Sequence, residues 1–318
     1  MGRWHADAVS RIGGTISVIA DRDPQRAARL IHRYPRAKAV LDLSVILAES
    51  LADIIHICTP AETHEDLARQ ALEGGLHSIV EKPLTETAVS TQSLLRLAES
   101  KSLLLCPVHQ FLFQPGFLRA QAAIDQIGPL LHVDTLICSA GAEIGSQNAD
   151  LVVADILPGS LSLIARLLPG AIGTVGWRVE HPAEGELRVS TSAGDASVSL
   201  LISLKGRPTS NSLRLIGKRG TAHVDLFHGF CVLEPGTVSR TRKIVHPFVR
   251  SSATLYSAAA NLFSRLARSE PAYPGLRELM RRIYGSLLVR GKSPVSASET
   301  LEVAVARDNI RAQMKRRA

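Results

Sequence analysis

Residues 52–84 read ADIIHICTPAETHEDLARQALEGGLHSIVEKPL, and this stretch decides the fold class. A run rich in β-branched residues, Ile54 to Thr59 with only His56 as a strongly polar break, closes at Pro60, the pattern of a buried strand. HEDLARQALEGG follows with helical spacing and a stop at Gly74 and Gly75, and LHSIV is a second buried strand running into Glu81, Lys82 and Pro83. Strand, helix and strand in this order close as a parallel pair with a crossover helix.

The same rhythm continues on both sides. Upstream, TISVIA (residues 15–20) is strand-like, and DPQRAARLIHRY is a helix with Asp23 as N-cap and Pro24 at its first position. Downstream, ETAVSTQSLLRLAESK is helical and SLLLCPV is a strand. Residues 1–110 are therefore expected to form a Rossmann-like, doubly wound parallel sheet of the α/β class. The chain opens MGRWHADAV, already inside a helix, so the sheet is expected to lack its first and central strand. That leaves either a gap or a forced pairing between TISVIA and ADIIHICTP.

Beyond about Pro115 the pattern changes. LLHVDTLICSAG, GTVGWRVEH, GELRVSTSAG, DASVSLLISLKG, NSLRLIGKRG and TAHVDLFHGFCVLEPG alternate with a period of two between glycine-containing turns. Residues 111–318 are expected to be an α+β domain with a largely antiparallel open sheet, one face of which is available for packing or ligand. GFLRAQAAIDQI precedes that sheet, and SATLYSAAANLFSRLARS and YPGLRELMRRIYGSLL follow it as helices. Two domains of different architecture imply a cleft.

The 318 residues are 45% hydrophobic, enough for two domains with their own cores. A formal net charge of +8 raises nucleic acid as a partner, but the basic residues scatter and their densest clusters hold no aromatic residues to stack on bases. The expectation is no nucleic acid and no membrane partner, since no run reaches the roughly 20 apolar residues that span a bilayer. Cys58, Cys106, Cys138 and Cys231 lack metal-ligand spacing and read as reduced, buried residues of a cytoplasmic protein, with no metal site.

In a doubly wound sheet, ligands bind beyond the carboxyl ends of the strands. TISVIA delivers Asp21 there, where a carboxylate accepts hydrogen bonds from an adenosine ribose and favours NAD, while Arg22 beside it could hold the 2′-phosphate of NADP. Asp21 could equally serve only to begin the turn. Lys82 ends the LHSIV strand, placed to hydrogen-bond a substrate hydroxyl or carbonyl and exchange its proton; the alternative is a solvated loop lysine. His109, in CPVHQ, is either a second acid/base or a polar residue satisfied at a strand end. His56 and His77 read as structural, and Trp177 and the pair Phe111 and Phe113 as core or cleft wall.

RWHADAV, VIADRDP, the 58–84 segment, DILPGSLSLIARLLPG, LIGKRGTAHVDL and PVSASETLEVAVARDNI together resemble the Gfo/Idh/MocA oxidoreductases over almost the whole chain. The resemblance implies NAD(P)-dependent hydride transfer at a hydroxyl or carbonyl of a sugar, nucleotide sugar or cyclitol, in a homo-oligomer. Lys82 matches the lysine near nicotinamide and substrate, Thr59, Pro60 and His64 the dinucleotide-contacting turn, and Glu81 the residue that shapes it. GRWHA aligns Gly2 with the third glycine of the family's Gly-x-Gly-x-x-Gly turn, placing Gly2, Arg3 and Trp4 at the cofactor, with a natural start upstream of Met1. Members commonly carry Asp-x-x-x-His with a second Asp three residues on; here the segment is Asp155-Ile-Leu-Pro-Gly159 and then Ser162. Asp155 is retained for the substrate pocket, whereas the His position is Gly159. Two readings of the chain follow: a working oxidoreductase relying on Lys82, or a catalytically degenerate homologue that binds a ligand or a partner.

Overall fold

In the computed structural model, residues 1–139, 149–236, 239–270 and 272–315 are described. They fall into two compact units, residues 1–109 with 276–304, and residues 110–275 with 305–318.

The first unit begins with α1 (Gly2–Arg11), then β1 (Val18–Ala20), α2 (Pro24–Ile31), β2 (Lys38–Val40), α3 (Leu43–Ala48) and β3 (Ile54–Ile57). It continues through α4 (His64–Glu73), β4 (His77–Val80), α5 (Ala88–Ser100) and β5 (Leu105–Pro107). Asp23 caps α2 as expected, accepting from the amides of Gln25 and Arg26, with Pro24 in the first turn. Gly75 takes φ +84 just past α4, a backbone state that a Cβ would oppose, so the helix ends and the chain turns into β4. Ile57, Leu72, Val80, Leu94 and Leu105 form one core between β3, β4, β5 and the helices α4 and α5. Val40, Leu43, Ile46, Ala71 and Leu76 form a second beneath α3.

All pairings in this unit are parallel: β1 with β2, β3 with β4, and β4 with β5. No pairing joins β1 to β3, so the sheet is split into two strands and three. Of the two outcomes expected where the central strand is lacking, the structure takes the gap. Ile54, Ile55 and His56 of β3 are accordingly only half-buried.

The second unit comprises α6 (Pro115–Ala122), α7 (Ile124–Ile127), β6 (Leu130–Cys138), α8 (Ala149–Leu167), β7 (Arg178–Ala183) and β8 (Glu186–Ala193). After these come β9 (Ala196–Ser203), β10 (Ser210–Gly217), β11 (Gly220–Asp225), β12 (Phe230–Pro235) and α9 (Arg240–Ala267). Its seven strands run β12-β11-β10-β6-β9-β8-β7, antiparallel except for β6 with β9. Leu187, Val189, Val198, Leu200, Leu213 and Leu215 alternate inward and are fully or almost fully buried. The opposite face is open and largely polar: Asp134 accepts from Ser199 (2.8 Å) and pairs with Arg214 (2.6 Å), and Leu136 and Leu201 are exposed on it.

Helices α10 (Leu276–Leu288) and α11 (Ala297–Lys315) complete the chain. Sequence spacing puts α10 in the C-terminal domain, but the structure packs it on α1 in the first unit. All four cysteines are free thiols; Cys106 and Cys231 are buried as expected, whereas Cys58 and Cys138 are only half-buried, because each lies at the end of a strand and not within it.

Candidate active site

The carboxyl ends of the first unit's strands gather the residues singled out above. Helix α1 starts at Gly2 beside the end of β3, where a Cβ on Gly2 would stand 4.0 Å from that of Cys58. Its N-cap, Met1, makes no side-chain capping bond, so the Gly2 and Arg3 amides keep their capacity for an anion, whereas the Trp4 amide donates to the Met1 carbonyl at 2.8 Å. Arg3 is exposed and stacks its guanidinium 4.8 Å from the centroid of Trp4. Asp21 follows β1, half-buried, with Oδ1 accepting the Asp23 amide at 2.9 Å; Arg22 is exposed. The turn bond realises the simpler expectation for Asp21 and occupies one of its two carboxylate oxygens.

Thr59 and Pro60 are exposed in the turn after β3. His64 is only 1% exposed and lies beneath them. Its Nδ1 is 2.7 Å from the Pro83 carbonyl oxygen and its Nε2 2.9 Å from that of Thr59. Expected among the cofactor contacts, His64 instead ties the turn after β3 to the turn after β4, because both ring nitrogens are taken by main-chain carbonyls.

The turn after β4 is fixed from the other side by a buried polar chain. Glu81 accepts from His5 Nε2 at 2.9 Å through Oε1, and from the Lys82 amide at 3.3 Å through Oε2. His5 Nδ1 lies 2.9 Å from His56 Nδ1, and His56 Nε2 lies 3.0 Å from the Tyr284 hydroxyl on α10. Burial would lower the His5 imidazole, but the Cys58 and Glu81 side chains beside it outweigh this and push it up to about 9. Burial raises the Glu81 carboxyl, yet the His5 hydrogen bond and charge, together with Lys82, hold it below its ordinary value. His56 is driven well below its ordinary value by burial of its ring and by the His5 charge, and burial pushes Tyr284 up to about 12.

One protonation pattern satisfies these three contacts. His5 is an imidazolium donating from both nitrogens, to Glu81 and to His56 Nδ1, while neutral His56 donates from Nε2 to Tyr284. A carboxylate and an imidazolium are thus buried as a pair with their hydrogen-bonding capacity used, the condition under which burying charge is tolerated. Its result is that Glu81 fixes the backbone at Lys82, whose half-buried side chain leaves from the tip of β4. His56 and Tyr284 were not visible as site residues in the sequence, since the contact bridges 228 positions.

His109 follows β5 and is 4% exposed, its amide bonded to the Pro107 carbonyl at 3.0 Å, a buried strand-end placement. In the second unit Asp155 is exposed on α8. One turn later Gly159 is buried, and a Cβ there would come within 3.0 Å of the Phe111 ring. Gly159, expected where the family carries its imidazole, thus stands against an aromatic ring that a side chain would have to shift. Residues 140–148 lie outside the described residues, among which no group of His, Cys, Asp or Glu gathers as a metal site.

Comparison with known proteins agrees with this fold. Residues 1–109 match the Gfo/Idh/MocA family model, described as an oxidoreductase family with an NAD-binding Rossmann fold. The chain is 32% identical over 128 residues to the UDP-N-acetylglucosamine 3-dehydrogenase of Acidithiobacillus ferrooxidans, a match covering 37% of this chain and 39% of that protein. It is 35% identical over 121 residues to the inositol 2-dehydrogenase of Corynebacterium glutamicum, covering 37% and 34%. The chain thus spans little more than a third of the length of these curated relatives. Among solved structures, levoglucosan dehydrogenase in complex with NADH aligns with a TM-score of 0.80 at 16% identity, over all of this chain and 95% of the other, a likeness of fold.

Proposed function

We propose that this chain, whose residues 1–109 belong to the Gfo/Idh/MocA oxidoreductase family, is an NAD-dependent dehydrogenase or reductase acting on a hydroxyl or carbonyl of a sugar, nucleotide sugar or cyclitol. The observation that carries the reading is the buried His5–Glu81 pair that holds Lys82 at the tip of β4. Bound NAD would supply the acceptor or donor of the hydride. The first-turn amides at Gly2 and Arg3, with Trp4 beside them, fit its pyrophosphate, Asp21 its ribose, and Thr59 and Pro60 its flank. Glu81 and His64 act beneath this surface by fixing the two turns.

Lys82 Nζ handles the proton: it takes one from the substrate hydroxyl on oxidation and returns one to the carbonyl oxygen on reduction. Asp155 contributes a carboxylate to substrate binding, and His109 is kept as a positioning group at most, because it is buried. The protein works in the cytoplasm as a homo-oligomer, with residues 1–110 serving the cofactor and 111–318 the substrate and subunit contacts.

Gly159 favours a second reading, a degenerate homologue that binds ligand without turnover, because it carries no acid or base and the Phe111 ring crowds any side chain put there. The test is turnover of a panel of sugars, cyclitols and nucleotide sugars with NAD and NADH, alongside calorimetry of cofactor binding. Turnover that Lys82→Ala abolishes supports the first reading; tight cofactor binding without turnover of any member supports the second.

A further inference from the structure

Helix α9 is built inside out. Its buried side is small and polar: Ser257 is 8% exposed, and Asn261 Nδ2 donates to the His228 carbonyl at 2.9 Å. Arg265 Nη1 donates to the same carbonyl at 3.1 Å, and Arg250 Nε pairs with Glu234 of β12 at 3.0 Å. The bulky apolar residues point the other way. Phe248 is 75% exposed, Leu255 73%, Tyr256 75% and Phe263 70%, with Val249 and Leu262 more than half exposed.

These residues repeat every seven positions in two rows, Phe248, Leu255, Leu262 and Val249, Tyr256, Phe263, with the small Ser252 and Ala259 on the line between them, a seven-residue repeat of the kind by which two helices pair. The rows also read the same backwards. Reversal about the point between Leu255 and Tyr256 exchanges Phe248 with Phe263 and Val249 with Leu262. It likewise exchanges Val245 with Leu266, and the small Ser252 with the small Ala259. A copy of α9 laid antiparallel across the first by a two-fold axis therefore meets large apolar residues at both ends and small ones flanking the centre, the self-complementarity that an isologous dimer requires.

The exposed face offers on the order of 1,000 Å² of apolar surface, beyond the few hundred usual for a monomer and enough for the roughly 800 Å² that each partner of a stable dimer hides. The open sheet face, with its Asp134–Arg214 pair, presents far less. An anionic bilayer would need basic side chains bordering the apolar arc, and among the described side chains of α9 Arg250 and Arg265 instead bond to their own chain.

We propose that α9 is a homodimer interface, in which two copies of this chain pair their α9 helices antiparallel about a two-fold axis near Leu255 and Tyr256. The proposal rests on the homo-oligomer reading above and is independent of the catalytic one.

Sedimentation and light scattering of the full chain at micromolar concentration should give twice the 34.2 kDa chain mass. Phe248→Glu/Leu255→Glu/Leu262→Glu, all at exposed positions, should keep the far-UV circular dichroism and weaken association roughly 100-fold or more. The double variant Ser252→Cys/Ala259→Cys should form a disulfide-linked dimer under a mild oxidant, beyond any seen in the unsubstituted chain. The two sites lie about 10.5 Å apart along one helix, too far to close within a chain. The single cysteine variants should cross-link weakly. A monomeric parent chain overturns the proposal. A dimer that survives the triple substitution overturns it while sparing the homo-oligomer reading. Strong cross-linking by each single variant shows a parallel pair and also overturns it, as does flotation with phosphatidylserine vesicles that the triple substitution abolishes.

Discussion

Replacing His5 tests whether the buried ion pair organises the strand-end turn. In the folded chain its imidazole titrates at about 9, against 6.5 when free of these contacts. A group raised on folding contributes its full stability below the unfolded value and loses it as the pH climbs through the folded one. The window is therefore pH 6.5 to 9, and the difference in titration corresponds to on the order of 3 kcal/mol. The other members of the chain act elsewhere. Glu81 and His56, both lowered, cost stability only on the acid side, and Tyr284, raised to about 12, acts only above the ordinary tyrosine range. Urea unfolding of the wild type at pH 6.5, 8 and 9.5 should show the alkaline loss. His5→Gln, which can still donate to Glu81 but carries no charge, should be less stable at pH 6.5 and nearly flat to pH 9. His5→Ala leaves the Glu81 carboxylate buried and unpaired and should cost about 3–5 kcal/mol near neutral pH. A wild-type profile flat from 6.5 to 9.5, or a His5→Gln profile with the wild-type slope, refutes the imidazolium assignment.

Lys82→Ala should lower kcat by about 10²- to 10⁴-fold while the NADH dissociation constant changes little, measured by steady-state kinetics and calorimetry, since the lost contact belongs to the transition state. NADH should bind more tightly than NADPH, and Asp21→Ala should narrow the gap, because the carboxylate repels a 2′-phosphate; calorimetry with both cofactors decides this. Gly159→His should destabilise the chain by about 1–3 kcal/mol in denaturant unfolding through its clash with Phe111, and adding Phe111→Ala should recover part of the loss.

Local signals made the first unit legible. Asp23 with Pro24, and Gly74 with Gly75, fix helix ends by backbone chemistry that acts within four residues, and both appear where the sequence puts them. Strand β2 and helix α3 escaped because three and six residues are too few to show a period. Helix α8 escaped for a different reason. Pro158 and Gly159 look like breakers, yet most of the helix from Val153 to Ala165 is buried, and packing overrides the propensity. Lys82 was readable because a strand end is a local feature with a fixed geometric meaning. The partners that fix it were not: His5 reaches Glu81 across 76 positions and His56 reaches Tyr284 across 228, and nothing in the spacing of a lone histidine reports what covers it.

The closure of the Gly159 position moves the weight of the proton chemistry. A side chain there must displace the Phe111 ring, and Ser162 Oγ is already committed to the Gly159 carbonyl at 2.8 Å, so this stretch of α8 supplies no acid or base at either family position. In the proposed mechanism proton transfer then falls on Lys82, whose main chain is held by a carboxylate paired with His5. A turnover that uses Lys82 in this way inherits the limit of its support: as His5 loses its proton near pH 9, Glu81 loses its partner and the Lys82 turn loosens. The alkaline limb of kcat/KM should therefore run with the alkaline limb of stability, and His5→Gln should shift both together. An activity limb that stays in place in His5→Gln belongs to Lys82 or the substrate itself, and would reduce the buried pair to a purely structural feature of the first unit.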